Sequence, residues 1–145
     1  MALDVVTDSE LLWPDRRVPF VISPNFGLTE QIMILNAMQN LSTEAGSDCI
    51  RFTGRTDADG DDPFIHFVRG VQCSSHIGRQ TEADQKIELS ASCLAEIGIV
   101  QHEIMHSLGF FHEMSRSDRD DYVTIIWSNV DRFSREQFGK YRDLH

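Results

Sequence analysis

Histidines at 102, 106 and 112, with Glu103 and Gly109 between them, limit most tightly what this chain can fold into. Residues four apart on an α-helix project from the same face, so His102 and His106 meet at one point only if the segment is helical. Glycine accepts the left-handed backbone that reverses a chain, so Gly109 ends that helix and returns His112 toward the first two. Glu103, next to the first histidine, is placed to reach a water at the same point. Three neutral imidazoles leave the fourth position of a tetrahedral ion open, and an open position marks a catalytic zinc rather than a structural one. Five fixed residues at fixed offsets arise by chance on the order of once in a few million starting positions. The motif therefore offers His102, His106 and His112 as ligands of one zinc ion per chain. The bland alternative is three ordinary histidines on an amphipathic helix.

The surrounding pattern agrees. Leu94, Ile97, Val100, Ile104 and Leu108 recur every three or four residues, which predicts a buried amphipathic helix from about Leu94 to Ser107, with Ser92 as its cap. A second helix is expected from about Glu30 to Ser42, capped by Thr29 and stopped at Gly46. Its face would carry Ile32, Leu35, Met38 and Leu41, with Ile34 and Ala37 alongside. Val18–Ile22, Cys49–Phe52, Phe64–Val68 and Ile87–Leu89 read as strands, and Pro19 places the first near an edge or a strand start. Tyr122–Trp127 reads as strand-like or extended, and Val130–Tyr141 as a helix or helical turns. No repeat, linker or low-complexity tract divides the 145 residues, so a single domain is expected.

Composition removes other classes of function. Thirteen Lys and Arg against 23 Asp and Glu leave a net charge of −10, the wrong sign for binding nucleic acid or an anionic membrane surface. No run approaches the roughly 18 apolar residues of a membrane span. The acidic loop Asp57–Asp62 resembles a calcium site at first sight, but the glycine and glutamate of an EF-hand loop are missing, and it reads as a solvated turn. His66 and His76 read as ordinary strand and loop residues. Asp4 and Asp8 interrupt the N-terminal apolar residues, so no secretory leader is read there. Three cysteines, Cys49, Cys73 and Cys93, leave one that is free, intermolecular or without its partner.

HEIMHSLGFFHE, continued by Met114-Ser-Arg-Ser-Asp-Arg-Asp-Asp-Tyr-Val123, resembles the extended zinc motif of the metzincins and, within them, of the astacin zinc endopeptidases. Leu12-Trp13-Pro14, Val18–Ile22, Cys49–Phe52, Cys73–Arg79 and Ile87–Cys93 resemble the rest of the astacin domain, so the likeness runs from about residue 11 to the end. It implies an α+β, zincin-like fold: a twisted, mainly parallel sheet, a backing helix, and a zinc helix beneath. Residues 11–101 would form the upper subdomain and 102–145 the start of the lower one.

The resemblance also assigns roles. His102, His106 and His112 hold zinc, and Glu103 is the general base in hydrolysis of internal peptide bonds. A peptide or protein substrate lies antiparallel to an edge strand at Ile87, Glu88 and Leu89. Glu113 contacts the mature N-terminus. Cys73 and Cys93 form a disulfide, which implies a secreted protein, and Arg116, Asp118, Arg119 and Asp120 form a structural network. One departure follows from the sequence. Met114, the only methionine after His112, is too close to loop beneath the metal, so the lower subdomain is expected to be incomplete and the N-terminus incomplete or processed. Ile104, Leu108 and Phe110 would then be left exposed, and the competing expectation is a catalytically inert zinc-binding or decoy module.

Overall fold

The computed structural model of the chain describes residues 5–46 and 48–141. Its main elements are β1 (Arg17–Ile22), α1 (Leu28–Ala45), β2 (Arg51–Gly54), β3 (Phe64–Arg69), β4 (Cys73–Ser75), β5 (Asp84–Leu89) and α2 (Ile97–Ser107). The strands form one sheet in the order β2-β1-β3-β5-β4, parallel except for β4, which runs antiparallel to β5. The architecture is α+β with a mostly parallel sheet, as the sequence predicts.

Alternation along the strands sends one set of side chains toward the helices. Val18, Ile65, Phe67, Ile87 and Leu89 from the sheet are completely buried against Ile34 and Ala37 of α1 and Val100 and Ile104 of α2. Each such aliphatic or aromatic side chain contributes roughly 1.5–3 kcal/mol on burial. Ile104 is thus a core residue rather than part of an exposed apolar face, because α2 lies directly under the sheet. Phe110 is 38% exposed and Leu108 is partly buried against the core.

Several expectations need correction. Pro19 lies in β1, an interior strand, yet removes no ladder bond. The Phe20 carbonyl faces β2, bonding the Arg55 N–H at 2.9 Å, so Pro19 faces β3, and pairing with β3 begins only at Phe20. α1 starts at Leu28 rather than Glu30. Gly27 is its cap, with its N–H donating to the Glu30 carboxylate at 2.8 Å, and Thr29 lies within the first turn. The buried stripe of α1 is Ile34, Ala37 and Met38, whereas Ile32 and Leu35 are 47% and 44% exposed. α2 begins at Ile97. Cys93–Ala95 is a separate 3-10 turn, and Ser92 pairs with the Ser90 hydroxyl instead of capping the helix. Tyr122–Trp127 forms no strand, whereas the helical turns expected within Val130–Tyr141 are present as a 3-10 helix over Arg132–Phe138.

The segment after α2 is held by polar contacts. Arg119, 6% exposed, donates to the carbonyls of Met114 and Phe138 and pairs with Asp120, which also pairs with Lys140 at 2.7 Å. Arg116 holds Asp118 at 2.9 Å. The four residues expected to form a network make two ion pairs, Arg116 with Asp118 and Arg119 with Asp120. In the acidic loop, Asp59 is buried, accepting from the Thr56 N–H at 2.6 Å and pairing with Arg17 at 2.5 Å. Cys73 and Cys93 are disulfide-bonded, and Cys49 is free and exposed. No helix among the described residues is long and apolar enough to cross a membrane.

Candidate metal centre

The last turn of α2 carries the site, and its backbone groups are closed from several directions. The His106 carbonyl accepts from the N–H groups of Gly109 (2.9 Å) and Gly78 (2.8 Å). The Ser107 carbonyl accepts from the Trp13 indole at 2.9 Å. Val6 N–H donates to the Gly109 carbonyl at 2.9 Å, forming a bridge between Val5 and Phe110. These bonds satisfy carbonyls that a helix end leaves unpaired, and they fix the turn that follows. Gly109 has φ +105°, and a Cβ there would lie 2.5 Å from Val6 Cγ2, so both the backbone and the packing require glycine.

The turn brings the three histidines together. His112 Nε2 lies 3.1 Å from His102 Nε2 and 3.0 Å from His106 Nε2. Ligands about 2.0–2.1 Å from a tetrahedral ion stand roughly 3.3 Å apart, so this spacing fits one metal ion. The His106 ring is oriented by its other nitrogen: Nδ1 lies 2.8 Å from the Phe110 carbonyl. A carbonyl only accepts, so Nδ1 carries the hydrogen and the Nε2 lone pair faces the cluster. Burial and the neighbouring histidines lower the pKa of His102 and His112 below the usual imidazole value. The neutral rings that result are the form a metal binds. Glu103 is 6% exposed, and burial raises its pKa, with His106 pulling the other way.

The remaining expected residues lie elsewhere. Ile87 and Leu89 are fully buried, and the whole segment Ile87–Leu89 is paired on both sides, with β3 and with β4. The Glu88 carboxylate is directed at the turn before β4, accepting from Val71 N–H at 2.8 Å. The expectation that these three form a free edge is therefore corrected: β5 is interior, and the free edge beside α2 is β4, Cys73–Ser75. A three-residue strand of one cysteine and two serines carries no hydrophobic alternation, so no pattern announced it. Glu113 projects outward with its side chain 71% exposed, 3.5 Å from Arg116. The N-terminal residues 1–4 that its expected contact involves lie outside the described residues.

The supports of the site carry no sequence motif. Gln85, 2% exposed, accepts from Gln80 N–H and donates to the Gly78 carbonyl, both at 2.9 Å. It thereby holds the loop whose Gly78 N–H reaches His106. Beyond His112, Glu113, Met114, Arg116, Arg119, Tyr122 and Val123 line a cavity of about 440 Å³.

A family model, that of the astacin peptidases, matches residues 5–145. The chain belongs to the astacin family. It is 38% identical to zinc metalloproteinase nas-7 of Caenorhabditis elegans over 93% of its own length and 34% of that protein. It is 39% identical to zinc metalloproteinase nas-8 of Steinernema carpocapsae, over 88% of this chain and 29% of the relative. The chain thus spans about a third of the length of these relatives. Among solved structures, high choriolytic enzyme 1, a hatching enzyme zinc-protease of the medaka Oryzias latipes, superposes with a TM-score of 0.79 at 34% identity, covering 98% of this chain and 70% of that one. Membership of the astacin family and the three-histidine cluster both point to zinc as the metal.

Proposed function

We propose that this astacin-family chain carries the centre of a zinc-dependent endopeptidase, with one ion per chain held by His102, His106 and His112. The observation that carries this reading is the convergence of three Nε2 atoms beside a buried carboxyl group. Zinc bound there would supply Lewis acidity toward a carbonyl and lower the pKa of water. Glu103 acts as the general base. Its raised pKa suits a group that accepts a proton from the attacking water and later gives one to the leaving amine.

The substrate is an extended peptide added antiparallel to the free edge of β4, with the main chain supplying most of the affinity. Contact between β4 and α2, together with the Gly78–His106 bond, supports this reading. Residues 11–101 act as the upper subdomain, and 102–145 open the lower one. The disulfide fits an oxidising, extracellular setting.

The test is cleavage of a broad pool of quenched peptides by zinc-loaded protein and by Glu103→Gln. The expected result is equal zinc content in the two and a loss of cleavage of about 10²–10⁴-fold in the variant. Zinc-loaded, folded parent protein that cleaves nothing would favour the inert zinc-binding module instead.

A further inference from the structure

The sheet face turned away from both helices carries a second constellation that the peptidase reading does not use. His66 stands beside Val21 of β1 and Lys86 of β5. Ser23, two residues beyond Val21, and Asp84, two residues before Lys86, lie on the same face, diagonally to either side of it. The side chains meet: Ser23 Oγ lies 2.9 Å from His66 Nε2, and Asp84 Oδ1 lies 3.0 Å from His66 Nδ1. An ionised carboxylate only accepts, so Nδ1 of the neutral ring carries the hydrogen toward Asp84. Nε2 is then the acceptor, and the serine hydroxyl donates to it. This is the order of contacts that activates a serine nucleophile: hydroxyl to Nε2, Nδ1 to carboxylate.

The row is open to solvent, with the Asp84 side chain 48% and the His66 side chain 24% exposed. A cavity of about 350 Å³, lined in part by Gln80, Glu82 and Lys86, meets the row at its Asp84 end. We infer that Ser23, His66 and Asp84 form a second, zinc-independent nucleophilic site whose substrates are small activated esters. In the first step Ser23 Oγ attacks the ester carbonyl carbon and its proton passes to His66 Nε2. The bond from that carbon to the leaving oxygen then breaks, and the leaving group takes the proton from His66, giving an acyl-serine and a free alcohol or phenol. In the second step water attacks the acyl-serine while His66 takes its proton. His66 returns that proton to Ser23, and the carboxylic acid is released.

One element of a fast hydrolase is missing nearby. The Ser23 N–H is already bonded to the Phe67 carbonyl at 3.0 Å, and the next residue, Pro24, has none. With neither Ser23 nor Pro24 offering a backbone donor to the developing oxyanion, acylation proceeds and turnover stays slow. The site is therefore read by stoichiometric labelling.

The experiment treats zinc-loaded protein with p-nitrophenyl acetate, quenches with acid and maps acetyl groups by peptide mass spectrometry. Ser23 is expected to acetylate at least 10-fold faster than the exposed Ser9 and Ser117, with His66→Ala bringing it down to their rate. His66→Gln keeps a hydrogen-bonding side chain that takes no proton, and it should lose the same reactivity with an unchanged thermal midpoint. Ser23→Ala should leave zinc content and peptide cleavage as in the parent. Acetylation of Ser23 no faster than that of Ser9 and Ser117, or unchanged in folded His66→Gln, would overturn the inference. Because the readout is Ser23 itself, the outcome is independent of whether the chain cleaves peptides.

Discussion

Gly109 shows how much of the metal centre rests on one position without a side chain. Its backbone sits at φ +105°, and Val6 occupies the space a Cβ would take. Gly109→Ala should cost about 1–3 kcal/mol of stability. It should also speed zinc loss, because the turn it shapes carries His112. Thermal unfolding and the rate of zinc transfer to a chelator measure the two effects. Val6→Ala added to Gly109→Ala should recover only the part due to the contact, leaving the backbone strain. At this scale the sequence was most legible. Ligand spacing follows from helix geometry, so His102 and His106 were readable from an offset of four, and His112 from the glycine before it. The residues that hold the ligands in place were not readable, because Trp13 and Gly78 reach α2 across long stretches of chain and Gln85 acts through Gly78.

Among the elements, β4 is the least self-sufficient. It has three residues, it pairs on one side only, and it is tied by the Cys73–Cys93 disulfide to the turn that leads into α2. The bond closes a loop of 20 residues. Replacing both cysteines by alanine should remove about 3 kcal/mol. That corresponds to a thermal midpoint lower by about 10 °C, and peptide affinity should weaken more than zinc affinity. Calorimetry and an inhibitor-peptide titration check both. Element existence was legible where an apolar period was strong, as in α2, β1 and β3. The buried face of α1 was misread for a geometric reason. A strict step of three falls about 60° short of a full turn each time, so Ile32, Leu35, Met38 and Leu41 walk halfway round the helix. The stripe that packs mixes steps of three and four, through Ile34, Ala37, Met38 and Leu41. The edge assignment failed for a different reason. Alternation in Ile87–Leu89 tells which face of a strand is buried, and strand order is decided by partners far away in sequence.

For the molecule as a whole, acid should act in two stages on metal-free protein. His102 and His112 hold protons less tightly when folded than in the unfolded chain, whose reference value is 6.5. The unfolded state therefore takes up protons first, and stability falls as pH drops through that value. Glu30, Asp59, Asp118 and Asp120 have lowered pKa values, set first by hydrogen bonds from Arg69, the Thr56 N–H, Arg116 and Lys140, respectively. Their contribution is complete above the unfolded values of 3.8–4.5 and is lost below them. Glu103, raised by burial, works in the opposite direction and offsets part of the loss. Thermal midpoints of metal-free protein from pH 8 to pH 3 should be level at first, decline through the histidine range, and fall again below pH 4.5. Zinc-loaded protein should keep its midpoint to a lower pH, since protons must then displace the ion.

The His106 carbonyl, shared by Gly78 and Gly109, makes the metal turn and the loop after the free strand a single mechanical unit. Thermodynamic reciprocity then applies to the proposed centre. Whatever factor zinc contributes to peptide affinity by stiffening that unit, a bound peptide must return to zinc affinity in full. A slowly dissociating peptide would thus act as a metal-retention factor, and chelator resistance would report occupancy of the strand edge without any bond being cut.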